Sequence, residues 1–304
     1  VIVLFLAIAV AGFTQTKTFR SYLRNLVLEE ARGAFNGILE LGPLEGNLVT
    51  GIHTGELRLR QNGVDVLAAD RLEARYDLWA LLTKRISLRR VTLVRPRIFL
   101  WRSESGRWNL EQLLQSKGSD SSSSPWLIDL RNAELLDATV RVVDSLELRQ
   151  RAEGLVEDPP VNAIDYSNLR LHSFTLRAAT TIGKDRTSVS VRFLGFQSRL
   201  PDFTLENLSG DFTLLRDETS VKNLVVRTKG SQLKLSATLR NLDLTAIKGL
   251  RQFEKAPVEL TLSADRLDCG ELKQFLPKPL AFLDKSMAFD LRTKGTFGRL
   301  SVDD

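Results

Sequence analysis

Alternation with period two is the feature that most restricts what this chain can fold into. In SQLKLSATLRNLD (231–243), Leu233, Leu235, Ala237 and Leu239 stand against Lys234, Ser236, Thr238 and Arg240. Successive side chains of a strand point to opposite faces, so this segment reads as a strand with one apolar and one wet face. GELRLR (55–60) sets Leu57 and Leu59 against Glu56, Arg58 and Arg60 in the same way. RLEARYD (71–77) sets Leu72, Ala74 and Tyr76 against Arg71, Glu73 and Arg75. ISLRRVTLV (86–94) and, past Pro96, RIFLWR (97–102) continue the series. A glycine-punctuated entry (42–52), a break at DLWALLTK (77–84) and a short helix on Leu110, Leu113 and Leu114 complete the stretch 41–114.

QSKGSDSSSSP (115–125) is too polar to bury surface, so it reads as a flexible connection and the best internal boundary. Strands then resume: WLIDL (126–130), ATVRVVD (138–144), SLELRQ (145–150), LRLHSFTLRA (169–178), SVSVRFLGF (188–196), DFTLENLSGDFTLL (202–215), SVKNLVVRT (220–228), PVELTLSADRL (257–267) and MAFDLRTKGTF (287–297). Helical spacing interrupts them at 244–253 and 271–276. Helices do not alternate with strands, which argues against a parallel α/β fold. The expected class is mostly β: an elongated, curved antiparallel sheet, open rather than closed, whose one-sided apolar residues form a groove. With a mean hydropathy of −0.10, the chain must close such a groove over or fill it.

The amino-terminal VIVLFLAIAVAGF (1–13) is uninterrupted apolar sequence, carried by Val1, Leu4, Phe5, Leu6, Ile8, Val10 and Phe13. A spanning helix needs about 20 residues. The chain begins at Val rather than Met, and TQTKTF after it offers no small-residue cleavage pattern. Residues 1–16 therefore read as an uncleaved membrane anchor whose remainder lies upstream, in preference to a cleaved signal or a buried helix. Residues 17–35 read as an amphipathic helix, with Phe19, Tyr22, Leu23, Leu26 and Val27 on one face and Lys17, Arg20 and Arg24 near its start. It either lies at a membrane surface with those cations toward lipid phosphates, or packs on the sheet that follows. An apolar stripe at helical spacing is more often core, which favours packing.

Little here suggests catalysis. His53 and His172 are the two histidines and Cys269 is the one cysteine, so an intrachain disulfide is excluded and a histidine-based metal cluster has little to work with. No phosphate-binding glycine loop or nucleophile elbow is present, and the carboxylates fall on the wet faces of strands. The reading is a chain that is not an enzyme, with no catalytic, cofactor-binding or metal-binding residue. The net charge is +6. Between 84 and 107, Lys84, Arg85, Arg89, Arg90, Arg95, Arg97, Arg102 and Arg107 face only Glu104. That block suits either a solvated face that discourages edge pairing or contact with anionic headgroups. Aromatic residues are 7% and do not interleave with the cations, so nucleic acid is not an expected partner.

The order of these elements resembles the amino-terminal region of the AsmA and TamB proteins of bacteria with two membranes. The resemblance rests on LEG (44–46), GI (51–52), DLWALLTKRISLRRVTLVRPRIFLWR (77–102) and GRWNLEQLL (106–114). It covers the first third of the chain well and the rest more loosely. It implies a module at 36–114 and a continuing groove at 126–304, extending past the last residue. It also implies a single-pass inner-membrane protein with its body in the periplasm, whose trough carries phospholipid toward the outer membrane. Candidate groove-lining residues are Leu57, Leu59, Leu72, Tyr76, Ile86, Leu88, Leu233, Leu235 and Leu239. The resemblance equally allows an assembly factor for outer-membrane β-barrels, with such a barrel as partner. A non-catalytic β scaffold is the third reading.

Overall fold

A computed structural model describes residues 16–47, 51–77, 85–114, 127–159, 163–182, 186–199, 201–215, 218–240, 256–272, 285–296 and 299–303. The protein is mostly strand, in an open sheet with few helices. Helix α1 (Lys17–Ala34) precedes β1 (Ile38–Leu41), β2 (Glu45–Asn47), β3 (Gly51–Thr54), β4 (Leu57–Gln61), β5 (Val64–Ala69), β6 (Arg71–Tyr76), β7 (Arg85–Val94) and β8 (Arg97–Arg102). Then come α2 (Asn109–Leu114), β9 (Leu127–Leu130), β10 (Asn132–Asp144), α3 (Ser145–Ala152) and β11 (Asn168–Ile182). The remainder is β12 (Arg186–Arg199), β13 (Asp202–Leu215), β14 (Glu218–Thr228), β15 (Gln232–Arg240), β16 (Pro257–Asp268), α4 (Cys269–Leu272), β17 (Ser286–Thr296) and β18 (Arg299–Asp303). The chain divides into two compact units, 1–158 with 165–173, and 159–164 with 174–304.

The first unit is built from long strands, each bent once. Leu41 faces Leu57 and Glu45 faces His53 in one unbroken antiparallel register, so β1 and β2 are two halves of a strand that bends at Gly42–Leu44. The same holds for β3 and β4 around Gly55, and for β5 and β6 around Asp70, against the next strand at each step. It holds again for β7 and β8 around Arg95 and Pro96. These bends lie side by side and form a crease across the sheet. Backbone hydrogen bonds cross it from Gly42 N to Glu56 O (2.9 Å), Asp70 N to Val94 O (3.2 Å) and Arg95 N to Leu136 O (2.8 Å). At its centre Thr54 and Ala138 are 0% exposed. A side chain at Gly42 would place its Cβ 2.8 Å from Thr54 Oγ1, so the close approach of the first two strands requires glycine there.

Helix α1 lies on this crease and packs against both halves. Leu23 meets Leu44, Ile52 and Tyr76 on one side, while Val27 and Leu28 meet Leu41, Leu57 and Ala69 on the other. At the bend in the first strand Arg24 reaches down to the backbone. Its Nη2 donates to Leu41 O at 2.6 Å and its Nε to Leu41 O at 2.9 Å and Gly42 O at 3.2 Å. The helix thus covers the sheet with its apolar stripe. Leu113 of α2 joins Leu59 and Val66 in the adjoining cluster, and fully buried Asn109 ties α2 to β8 by donating to Phe99 O and accepting from Trp101 N.

Two features differ from the sequence expectation. Strands β9 and β10 run parallel to β7 and β8, with Leu127 beside Arg85 and Asp144 beside Arg102. Parallel neighbours need a long crossover, and residues 103–126, which include α2, supply it. Residues 145–150, expected as a strand, are helical in α3. Asp144 accepts from Glu147 N (3.0 Å) as the cap, and Arg151 and Arg149 pair one turn away with Glu147 and Glu153. Those cap and i,i+4 pairs outweigh a short alternation.

The second unit is an antiparallel meander from β12 to β18, each strand pairing with the next. Register shifts recur in it, in the pairings of β12 with β13, β13 with β14, β14 with β15, β15 with β16 and β16 with β17. Each such bulge bends its strand and adds local twist. Gly210 sits at one of them, where a Cβ would come 2.9 Å from Leu224 Cα. The expected helix at 244–253 lies outside the described residues. The one expected at 271–276 begins earlier, as α4, and its remainder is also outside them.

Candidate functional site

Register across the meander turns separate alternations into rungs. One rung runs Leu194, Leu208, Val226, Leu233, Ala264, Phe289 across six strands. The next runs Leu224, Leu235, Leu262, Leu291, and a third Val189, Phe212, Val221, Ala237, Leu260. Leu239 beside Val258 belongs to a fourth. Because directly paired residues point the same way, these rungs share one face of the sheet.

Among the described residues the face is apolar and half-buried at its centre. Its margins are buried: Phe203 and Leu205 at 7% with Phe196 and Phe174 nearby, Val258 at 4%, and the cluster Ala264, Leu267 and Cys269 where β16 meets α4. Between them Leu208, Leu224, Val226, Leu233, Leu235, Leu260 and Leu262 are half-buried. Leu233 and Phe289 of the first rung pack against the cluster of Ala264, Leu267 and Cys269, and among the described residues no other buried hydrophobic cluster includes these central residues. Five inter-strand spacings give a width of roughly 24 Å, and four alternate rungs a length of about 20 Å.

The opposite face is wet and paired. Lys234 meets Asp265 at 3.0 Å, Arg240 bridges Glu218 (3.4 Å) and Glu259 (3.2 Å), and Lys294 meets Glu259 at 3.0 Å. The Lys294 hydrogen bond and the Arg240 charge hold the Glu259 carboxyl below its ordinary range. These exposed pairs contribute little stability. Their consequence is orientation, since a slip of one residue would turn them inward.

The nine candidate lining residues separate into two groups. Leu233, Leu235 and Leu239 sit together on the half-buried face just described. Leu57 (6% exposed) and Leu59 (8%) are core in the first unit, packed with α1 and α2, and Leu72 joins the same packing. Tyr76 packs with Leu23 and Leu44, with its phenol pushed up by burial. Leu88 is half-buried opposite Tyr76. Ile86 lies on β7 beside Ile128. The rung partners Leu208, Leu224, Leu260 and Leu262 were not singled out from sequence. Each lies in a visible alternation, but which strand faces which, and where bulges shift the phase, is fixed only by pairing.

The arginine block is largely neutralised by neighbouring strands. Arg89 pairs with Asp77 (2.9 Å), Arg90 with Glu134 (3.6 Å), Arg95 and Arg97 with Asp70 (2.9 and 3.5 Å), and Arg102 with Asp144 (3.2 Å). His53 lies 3.4 Å from Glu45. Among the described residues there is no group of three metal-ligating side chains, and no helix is long and apolar enough to cross a membrane. The anchor residues Val1 to Phe13 lie outside the described residues. Comparison with protein-family models, with curated proteins and with solved structures finds no match to this chain.

Proposed function

We propose that this chain is a lipid-transfer protein of the AsmA and TamB kind, anchored in the inner membrane with its body in the periplasm, whose apolar sheet face carries phospholipid acyl chains. The observation that carries the reading is the half-buried face of the second unit. A bilayer's hydrocarbon core is about 30 Å thick, so a single acyl chain extends about 15 Å, which the face accommodates along either axis. Each methylene laid on it recovers about 0.8 kcal/mol that exposure to water would cost. Headgroups stay in water, no residue does chemistry, and selection is by shape. The ordered likeness of residues 44–114 to that family supports the same reading.

The test is a photo-crosslinking residue placed at Leu235 and, separately, at Ser236 on the opposite face of the same strand. Lipid adducts at 235 and none at 236, lost when Leu224 and Leu262 are changed to Asp, is the expected result. Equal or absent adducts on a folded protein would leave a structural scaffold. Adducts to partner β-strands would favour barrel assembly.

A further inference from the structure

The half-buried stretch of the apolar face changes length from strand to strand of the second unit. On β14 its residues Val221, Leu224 and Val226 are all half-buried. On β15 so are Leu233, Leu235, Ala237 and Leu239, a span of about 20 Å at 3.4 Å per residue. On β16 the stretch is reduced to Leu260 and Leu262, about 7 Å, because Val258 on one side and Ala264 and Leu267 on the other are buried. Thr293, which pairs with Leu260, is buried as well. One of these two ends is pinned by side chains. The Glu271 carboxylate accepts from Gly230 N at 2.9 Å, from Ser231 Oγ at 2.8 Å and from Thr228 Oγ1, and Ser231 Oγ accepts from Asp268 N at 3.0 Å. These bonds fasten the turn between β14 and β15 to the corner at which β16 ends, where Ala264, Leu267 and Cys269 cluster.

A single acyl chain extends about 15 Å, so it finds half-buried apolar contact for its full length along β15 and for only part of it along β16. We infer that β14 and β15 form a bay that holds one acyl chain parallel to the strands, and that β16 is a sill, which a chain crosses only after turning across the strands. This rests on the lipid-carrying reading above and assigns the position at which lipid is held. The consequence is an unequal partition. Leu224 belongs to the bay, whereas Leu291, which pairs with Leu262, lies past the sill. A chain turned across β16 gives up part of its apolar contact, and losing that of two methylenes alone lowers occupancy about tenfold.

The full chain, carrying a photo-crosslinking residue at Leu224 or at Leu291, is incubated with vesicles of dipalmitoyl phosphatidylglycerol and irradiated, and its lipid adducts are counted by mass spectrometry. The expected result is about tenfold more adduct at 224 than at 291. Leu262→Trp fills the half-buried floor of the sill, so it removes the adduct at 291 and leaves the one at 224. Thr261→Trp, on the exposed face of the same strand, changes neither. Equal yields at 224 and 291, or a yield at 291 that survives Leu262→Trp, overturn the sill while the lipid reading stands. If Leu262→Trp does not fold, the ratio of the two yields without it decides. No adduct at 224, 235 or 291 on a folded chain overturns the lipid reading and the bay with it.

Discussion

Tyr76 carries the alternation of RLEARY to its last position and packs against Leu23 and Leu44, yet its hydroxyl is buried without a hydrogen-bond partner among the described residues. Leaving such a group unsatisfied costs about 1–3 kcal/mol. Tyr76→Phe removes the orphan and keeps the ring, so it should be neutral or stabilise by up to about 1 kcal/mol in chemical denaturation; a loss of more than that would reveal a partner for the hydroxyl. At this scale the sequence is informative about which side of a strand a residue occupies and silent about what covers it. Leu57 and Leu235 look alike in their alternations, but the first lies under a helix and the second on a half-buried face. The difference is made by residues far away in sequence. Arg20 is the converse case: its charge is legible, but that its Nε is buried with no acceptor among the described residues is not.

Elements were legible where alternation was long and misread where it was short. Strand β13 is one continuous run, Asp202–Leu215, with bulges where its alternation changes phase. In 145–150 the apparent alternation is four residues deep, and the Asp three residues before Glu147 is the stronger signal, because a side-chain acceptor there satisfies the first free N–H of a helix. Asp144→Ala should cost about 1 kcal/mol for the lost cap and release Arg102; an unchanged unfolding midpoint would mean that α3 is held by something other than its cap. The crease acts on a second element-level question. Alternation alone tolerates a slip of two residues, since both faces are preserved. Bends at Gly42–Leu44, Gly55, Asp70 and Arg95–Pro96 coincide in only one register, so the crease specifies what the pattern leaves free.

For the molecule as a whole, the serine-rich stretch at 115–125 looked like a boundary because its composition cannot bury surface. Yet Ala133 to Asp144 pair with strands that precede it, and composition carries no information about pairing across a linker. A protease site inserted in 115–125 should therefore give two fragments that co-elute in native size-exclusion chromatography; separation of the fragments would refute the parallel pairing. The same pairing bears on the order of events as the chain is made. Until residue 144 has emerged, the outer edge of β7 and β8 has no neighbour to bond with, and bare edges recruit strands from other chains. Along that edge the chain carries Arg85, Arg89, Arg90, Arg95, Arg97 and Arg102. Charges that are largely matched to carboxylates in the finished protein would, before then, discourage that edge from pairing with another chain.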